Sequence, residues 1–435
     1  MTIPQPALPA TWRWQPLDSL SRVKVSTVDK KSYPDEVPVR LCNYTDVYYQ
    51  DVITSDLAFM EATASAEQIS RFSVQAGDVP ITKDSETSDD IGRPSYVPED
   101  LPGVVYGYHL AIYQPFDPNY SKFIRYLFDS SYIRAELQTR TPGVTRVGLS
   151  QDTLRNLRVP TPPPYIAAGI ADYLDHETAE IDAFVEDQHK ILHLVSERRW
   201  SAIDRAIEQG TERVPLRRLA KYLTSGSRNW SSLLSESGDP FVRITNISRN
   251  HVRILSEDME FVAGVEDAEG ARAKIQMGDI LMSITADLGS VALADESIEG
   301  GYTSQHVCLI RPNNQLADPK YVAYALLSSK VKAQIAEKSY GGTKIQLSLE
   351  DVRELEIPLP PLQEQRGVAQ QCEDYVTTTE GLSSELQRII ALSRERRAAL
   401  ITAAVTGQID VTAKNKPAAE QIEDDVAQGL HREYA

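Results

Sequence analysis

A run of three prolines and a tyrosine, Pro162-Pro163-Pro164-Tyr165, is the first pattern in the sequence with a chemical precedent. Enzymes that methylate amino groups of DNA bases hold the flipped base with Asp, Asn or Ser followed by Pro-Pro and an aromatic residue. Here the polar position is Pro162, whose side chain offers no acceptor for an amine. No Gly-rich cofactor loop follows a predicted strand either. The sequence therefore does not predict methyl transfer by this chain.

Two further patterns with chemical potential are incomplete. His189 and His193 lie four residues apart, a spacing that places two imidazoles on one helix face and can bind a metal. No Cys or carboxylate set accompanies them, so a solvated helix face is the preferred interpretation and no metal site is predicted. No phosphate-binding loop of the form GxxxxGK(S/T) is present, which argues against ATP use by this chain alone.

An internal repeat organises the chain. Residues 143–163 (GVTRVGLSQDTLRNLRVPTPP) reappear as residues 341–361 (GGTKIQLSLEDVRELEIPLPP), 198 positions later and without a gap. A weaker parallel links the Gly-Asp pair at 77–78 with the pair at 278–279, at an offset of 201. The repeat predicts two related units that share a framework while their loops have diverged.

A long helix is predicted after each proline cluster. In the first helix the spacing alternates between four and three, which is typical of a coiled-coil seam. The seam positions are Ile170, Leu174, Glu177, Ile181, Phe184, Gln188, Ile191 and Val195. Adding the repeat offset gives a second seam at Val368, Cys372, Tyr375, Thr379, Leu382, Leu386, Ile389 and Ser393. Two antiparallel helices of roughly 40 residues, each about 60 Å long, are therefore expected to pair.

The remaining sequence predicts an α+β protein. Short alternating runs such as residues 240–247 predict strands, and periodic runs such as 319–336 predict helices. The predicted order is a mixed α/β domain over 1–160, a spacer helix over 161–210, a second mixed domain over 211–358, a second spacer helix over 359–411 and a disordered tail over 412–435.

Composition narrows the class of protein. A chain of 435 residues with 41% hydrophobic and 25% charged content is long enough for several globular domains. Three cysteines, far apart in sequence, predict free thiols in a reducing compartment. No apolar span or signal-peptide pattern is present, so a cytoplasmic protein without a membrane partner is expected. The net charge of -17 argues against unselective coating of nucleic acid.

The order of these elements resembles the specificity subunit of type I restriction-modification systems. The segments that carry the resemblance are YLDHETAEID (173–182), IPLPPLQEQR (357–366), ERRAALITAAVTGQIDV (395–411) and GDILMSITADLGSVALADE (278–296). It extends over nearly the whole chain. It implies a non-catalytic subunit with two target recognition domains, each of which reads one half of an asymmetric bipartite DNA sequence, and helices that set the spacing between them.

The resemblance also implies partners. Besides double-stranded DNA, these are two modification subunits that methylate adenine with S-adenosylmethionine and two restriction subunits that use ATP and Mg²⁺. No cofactor is expected on this chain. The residues expected to form the helix seam and dock partners are Ile170, Leu174, Ile181, Phe184, Ile191, Val368, Leu382, Leu386 and Ile389.

DNA contacts are expected from polar side chains in loops of the two domains, because such groups match the donor and acceptor patterns of base edges. The candidates are Arg228, Asn229, Ser304, Gln305, Lys344 and Gln346 in the second domain, and Thr145, Arg146, Lys83 and Tyr108 in the first. The alternative for each is a surface side chain without a DNA contact. For the whole chain, the alternative is a coiled-coil scaffold that bridges protein partners without reading DNA.

Overall fold

The computed structural model describes residues 5–88, 90–141, 147–208, 212–226, 230–263, 265, 268–339 and 346–411. The chain divides into two compact units, residues 1–187 with 389–435 and residues 188–388. Each unit combines a mixed domain of helices and strands with part of both long helices. The predicted α+β class with two long helices is confirmed.

The first unit contains small sheets covered by helices. Its strands are β1 (Arg13–Pro16), β2 (Ser21–Val25), β3 (Val37–Cys42), β4 (Met60–Ala64), β5 (Val79–Thr82), β6 (Asp84–Ser85), β7 (Val104–Tyr106), β8 (Leu110–Pro115), β9 (Val147–Gly148) and β10 (Arg158–Thr161). Its helices are α1 (Tyr44–Tyr49), α2 (Ala66–Phe72), α3 (Ser121–Asp129), α4 (Ser131–Thr139), α5 (Gln151–Arg155) and the start of α6 (Pro164–Ile207). The sheets have the strand orders β2-β8-β5, β4-β3-β7, β1-β10 and β6-β9.

The second unit repeats this plan. Its strands are β11 (Arg213–Pro215), β12 (Ala220–Ser225), β13 (Leu234–Ser235), β14 (Asp239–Val242), β15 (Glu260–Val262), β16 (Ile280–Ser283), β17 (Val291–Leu293), β18 (Tyr302–Thr303), β19 (Val307–Pro312) and β20 (Glu356–Pro358). Its helices are the end of α6, α7 (Ala268–Ala273), α8 (Pro319–Leu327), α9 (Ser329–Ser339), α10 (Leu349–Arg353) and the start of α11 (Leu362–Val405). The sheets have the orders β12-β19-β16-β17, β13-β15-β14-β18 and β11-β20.

Strand pairing shows that the two units share one framework. In the first, β3 runs parallel to β7 with Cys42 opposite Tyr106, and in the second β14 runs parallel to β18 with Val242 opposite Thr303. The pairs β5–β8 and β16–β19 are antiparallel and also correspond. The duplication that the sequence predicts therefore extends through both domains.

The helices α6 and α11 pack antiparallel within each unit. In the first unit, Leu400 and Ile401 near the end of α11 share a core with Ile170 and Leu174 near the start of α6. In the second, Cys372 and Val376 near the start of α11 share a core with Ile203 and Ile207 near the end of α6. Both helices are 44 residues long. Burial of these apolar faces stabilises both helices, because most helical stability in proteins comes from tertiary packing.

The seam follows the predicted heptads with one systematic difference. The predicted positions Ile170, Leu174, Cys372 and Leu386 are buried, and Ile181, Val368 and Ile389 are half-buried. Phe184, Ile191, Tyr375 and Leu382 are exposed, and the buried positions include Thr178, Val376 and Ile390 instead. The steps thus run three then four where the prediction has four then three. Neighbouring apolar pairs such as Tyr375-Val376 and Ile389-Ile390 fit either order, so packing decides between them.

The free cysteines and the absence of a membrane span were both predicted from composition. Cys42, Cys308 and Cys372 are buried free thiols, as expected. Burial raises the pKa of the Cys42 thiol well above its usual value. In the described part of the chain, no helix combines the length and apolar character needed to cross a bilayer.

A Gly-Asp turn precedes β5 in the first domain and β16 in the second. Gly77 and Gly278 have φ of 84° and 82°, a left-handed conformation that favours glycine. The following carboxylates accept backbone hydrogen bonds from within the turn, Asp78 from Gln75 N at 3.1 Å and Asp279 from Gln276 N at 2.8 Å. The turns fix where β5 and β16 begin.

The two buried turn carboxylates have different partners. Asp279 accepts from Nε and Nη2 of Arg311 at 2.8 and 2.7 Å. Asp78 accepts from the neutral Gln114 amide at 2.9 Å, at the corresponding position of β8, and from the Tyr106 hydroxyl at 3.1 Å. Burial raises the pKa of Asp78 to about 6, because its hydrogen bonds and the nearby Lys24 offset only part of the effect of burial.

The raised pKa of Asp78 predicts a pH dependence of stability. From about pH 4 to 6 the folded state binds the proton more tightly than the unfolded state, so the free energy of unfolding falls as pH rises. The free energy of unfolding of Asp78→Asn, measured relative to that of the wild type, should therefore rise by about 3 kcal/mol from pH 4 to pH 7. Each pKa unit corresponds to about 1.4 kcal/mol. Urea unfolding at both pH values, followed by hydrogen exchange of first-unit peptides, measures this. A difference that does not change with pH contradicts the assignment.

Candidate nucleic-acid interface

Three segments of the second unit meet beyond the end of β16. Ile284 N donates to His306 O at 3.0 Å, and Leu347 N donates to Ile284 O at 2.9 Å. Thr285 forms a backbone bridge with Gln346. These bonds bring together the side chains of Thr285, Gln305, His306 and Gln346, which we call the second strand-end cluster.

The first unit has the same arrangement beyond the end of β5. Lys83 N donates to His109 O at 3.0 Å, and Leu149 N donates to Lys83 O at 2.8 Å. The side chains gathered here are Lys83, Asp84, Tyr108 and His109, the first strand-end cluster. Because corresponding backbone groups make the same bonds, the clusters occupy equivalent positions in the duplicated framework.

A hydroxyl and an amide hold the histidine of the second cluster. The Oγ1 atom of Thr285 lies 2.9 Å from His306 Nδ1, and the amide Nε2 of Gln305 lies 3.0 Å from His306 Nε2. The His306 and Gln346 residues are exposed and Gln305 is half-buried. The cluster therefore presents hydroxyl, imidazole and amide groups to the surroundings.

A carboxylate and an aromatic ring hold the histidine of the first cluster. Asp84 Oδ2 lies 2.9 Å from His109 Nδ1 and accepts from Lys83 Nζ at 2.5 Å. Burial alone would raise the pKa of Asp84, but the hydrogen bonds from Lys83 and His109 outweigh it and lower that pKa. The Tyr108 and His109 ring centroids are 3.7 Å apart. This cluster contains a lysine and a carboxylate, whereas the second contains neither.

A cleft of about 380 Å³ adjoins the first cluster. Its lining includes Asp84 and His109 together with Tyr44 and Tyr48 of α1. The two tyrosine rings stack at 5.5 Å, and the Tyr48 hydroxyl donates to Asp90 Oδ1 at 2.9 Å. Aromatic faces beside carboxylate acceptors suit nucleobases and their amino groups better than phosphates.

The structure brings some of the predicted DNA-contact residues together and separates others. Gln305 and Gln346 lie in the second cluster, and Lys83 and Tyr108 lie in the first. Ser304 is buried, and its N–H donates to Val242 O at 2.9 Å, so its side chain is not at the surface. The remaining candidates, Arg228, Asn229, Lys344, Thr145 and Arg146, lie outside the described residues.

Sequence reasoning missed His109 and His306, which occupy the centre of each cluster. The repeat does contain a signal for them, because His109 and His306 are followed by Leu110 and Val307, the first residues of corresponding strands. Their offset is 197 rather than 198, so the ungapped repeat does not align them.

Gly226 lies against β18 and β19, the two strands that flank Gln305 and His306 in the chain. Its N–H donates to Val307 O at 3.2 Å, and a Cβ atom here would lie 1.9 Å from Thr303 O. The equivalent residue of the first unit, Ser26, donates its N–H to Leu110 O at 3.1 Å and its hydroxyl to Tyr106 O at 2.5 Å. Close backbone approach therefore requires glycine at 226.

The substitution Gly226→Ala should destabilise the second unit, because the Thr303 backbone must move away from the added methyl group. The expected loss is about 1–3 kcal/mol in the free energy of unfolding. Gly381→Ala is the matched control, since no atom lies within 4 Å of its Cβ position in α11. That variant should gain up to about 1 kcal/mol from helix propensity. Equal stability of the two variants in urea unfolding would rule out the close approach at Gly226.

Comparison with known proteins gives a family match in the second half of the chain. Residues 210–389 match the family described as "Type I restriction modification DNA specificity domain". This range contains the second strand-end cluster and the first 28 of the 44 residues of α11.

Individual relatives match more of the chain. The EcoKI specificity subunit of Escherichia coli K12 is 21% identical over 430 residues, which cover 92% of this chain and 90% of that protein. The EcoBI specificity subunit of Escherichia coli is 20% identical over 328 residues, or 67% of each chain. A chain solved in a study of complex assembly and conformational transition of the type I R-M system superimposes with a TM-score of 0.73 at 17% identity, covering 93% of this chain and all (100%) of the other. This last likeness shows a shared fold.

Proposed function

We propose that the chain is a specificity subunit of a type I restriction-modification system and that its two domains read the two halves of a bipartite DNA target. The first strand-end cluster would contact one half-site and the second cluster the other. The paired helices α6 and α11 would set the spacing. The chain would direct catalysis in partner subunits and perform none itself.

The observation that carries this proposal is one framework with two different sets of reading groups. Equivalent backbone positions present Asp84 and Tyr108 in one domain but Thr285 and Gln305 in the other. A carboxylate only accepts hydrogen bonds, whereas a hydroxyl or an amide both donates and accepts. The two domains therefore match different base edges, as an asymmetric target requires. A scaffold that only bridges proteins has no need for such a difference.

Exposed apolar residues on the helices support docking of two partner copies. In the first unit Phe184 and Leu392 are 48% and 53% exposed, and in the second Leu382 and Leu194 are 48% and 60% exposed. We call these the docking pairs. The repeat relates Phe184 to Leu382 and Leu194 to Leu392, so each unit presents one equivalent pair. Two equivalent faces fit two copies of one modification subunit.

The charge of the chain supports a division of labour. At -17, the chain is poorly suited to neutralising DNA phosphates, so the partners would supply much of the non-specific affinity. We propose that two modification subunits bind S-adenosylmethionine and methylate adenine, and that two restriction subunits use ATP and Mg²⁺.

Methylome mapping tests the function directly. The full chain is co-expressed with its cognate modification subunit, and methylated adenines in the host genome are mapped by single-molecule sequencing. A split motif with a fixed gap is expected, and exchanging residues 1–155 for those of a related specificity subunit should change one half only. A stable complex that directs no methylation would favour the scaffold instead.

A further inference from the structure

The hydrogen bonds of the second cluster indicate which ring nitrogen of His306 accepts and which one donates. The amide nitrogen of Gln305 only donates, so His306 Nε2, 3.0 Å away, accepts. A neutral ring that accepts at Nε2 carries its proton at Nδ1, which then donates to Thr285 Oγ1 at 2.9 Å. Thr285 thus orients His306, and His306 orients the amide of Gln305.

This chain of hydrogen bonds leaves Gln305 with a defined set of groups for a ligand. One amide hydrogen is used by His306, so the second N–H and the carbonyl oxygen are the groups that face a ligand. An adjacent donor and acceptor match the N7 and N6 positions that adenine presents in the major groove. Fixing the amide beforehand also lowers the entropy cost of the contact.

We propose that Gln305, held by His306, reads an adenine in the half-site contacted by the second domain. This inference rests on the proposed function, since it assigns one base to one of the two reading clusters. His306 is a positioning residue that acts through Gln305. Gln305 is half-buried and its neighbours His306 and Gln346 are exposed, so the cluster lies at the surface of the protein.

The first domain provides an internal comparison. Its equivalent histidine, His109, is also bound through Nδ1, in this case to Asp84 at 2.9 Å. The residue that corresponds to Gln305 is Tyr108, which packs its ring against His109 and has no amide. The positioning histidine is thus common to both domains, and the neighbour that meets the base differs. The two half-sites should differ at this equivalent base pair.

Substitutions in the full chain, co-expressed with the modification subunit, test the assignment. Gln305→Glu replaces the donor–acceptor pair by acceptors, which suit the amino group of cytosine. Its expected effect is a change from adenine to cytosine at one position of the second-domain half-site. His306→Ala should make the same position degenerate. Gln371→Glu, an exposed glutamine on α11 with the same charge change, should keep the wild-type motif.

The first-domain half of the motif reports on folding and assembly in each variant. If it persists while Gln305→Glu leaves the second half unchanged, the assignment of Gln305 is wrong although the proposed function stands. If His306→Ala lowers total methylation without relaxing that position, the positioning role is wrong. If the wild-type complex itself directs no methylation, the proposed function fails, and this inference fails with it.

Binding of the purified complex to synthetic duplexes gives a second measurement. Replacing the assigned adenine by 7-deazaadenine removes the N7 acceptor and should weaken wild-type binding about 5- to 150-fold. The Gln305→Ala complex should bind both duplexes equally. Equal binding by the wild-type complex would overturn the proposed contact.

Discussion

Replacing Phe184 by aspartate should remove one of the two modification subunits that we propose for the assembled complex. Phe184 lies on α6, 48% exposed, and lines a groove with Ile181 and Ser393. A charge at the centre of an apolar contact is expected to weaken binding by at least about 30-fold. Native mass spectrometry of the co-expressed complex measures the number of bound subunits.

The repeat provides the matched variant for this experiment. Leu382 corresponds to Phe184 and is equally exposed, so Leu382→Asp should remove the other copy, and the double variant should bind neither. Leu386→Asp, at a buried seam position only four residues along α11, should instead unfold the second unit. Two copies that remain bound to the double variant would show that the docking pairs do not form the contact.

Removing the Asp279 carboxylate should be the most destabilising single change in the second domain's turn. It would leave the Gln276 N–H without its acceptor and the Arg311 guanidinium with only the Lys274 carbonyl, in a site where the Asp279 side chain is 1% exposed. Breaking a buried pair from one side costs on the order of 3–5 kcal/mol. The equivalent Asp78→Ala removes hydrogen bonds from neutral donors and should cost about 1–3 kcal/mol. Urea unfolding followed by hydrogen exchange of peptides from each unit distinguishes the two losses.

Exchanging the side chain that binds the turn carboxylate between the two domains tests the cause of this difference. Arg311→Gln reproduces the environment that Gln114 gives Asp78, so Asp279 should then acquire a raised pKa and second-unit stability should fall between pH 4 and 7. Conversely, Gln114→Arg should remove the pH dependence attributed to Asp78. An Arg311→Gln variant with unchanged pH dependence would contradict the role assigned to the arginine.

The helix seam shows where sequence periodicity reaches its limit. Heptad spacing predicts that two helices pair and identifies Leu174 and Leu386 as buried. It does not decide between adjacent apolar residues, because neighbouring positions are about 100° apart around the helix and an apolar stripe can be wide enough to include both. Side-chain packing places Val376 inside and Tyr375 outside.

The strand-end clusters show the same limit for function. Gln305, Gln346, Lys83 and Tyr108 were proposed from loop chemistry, but nothing in the sequence groups them around His306 and His109. Thr285, Gln305 and Gln346 belong to three segments that are distant in the chain. Only the backbone bonds from Ile284 to His306 and from Leu347 to Ile284 bring them together.

By itself, the sequence determined the duplication, the pair of long helices and the α+β class, since these depend on patterns of residue type repeated along one chain. The tertiary structure decided which residues face solvent on the helices and which polar groups converge at each strand end. Those features depend on hydrogen bonds and packing between segments that are far apart in the chain. A loop that differs by one residue shifts the alignment of every residue after it.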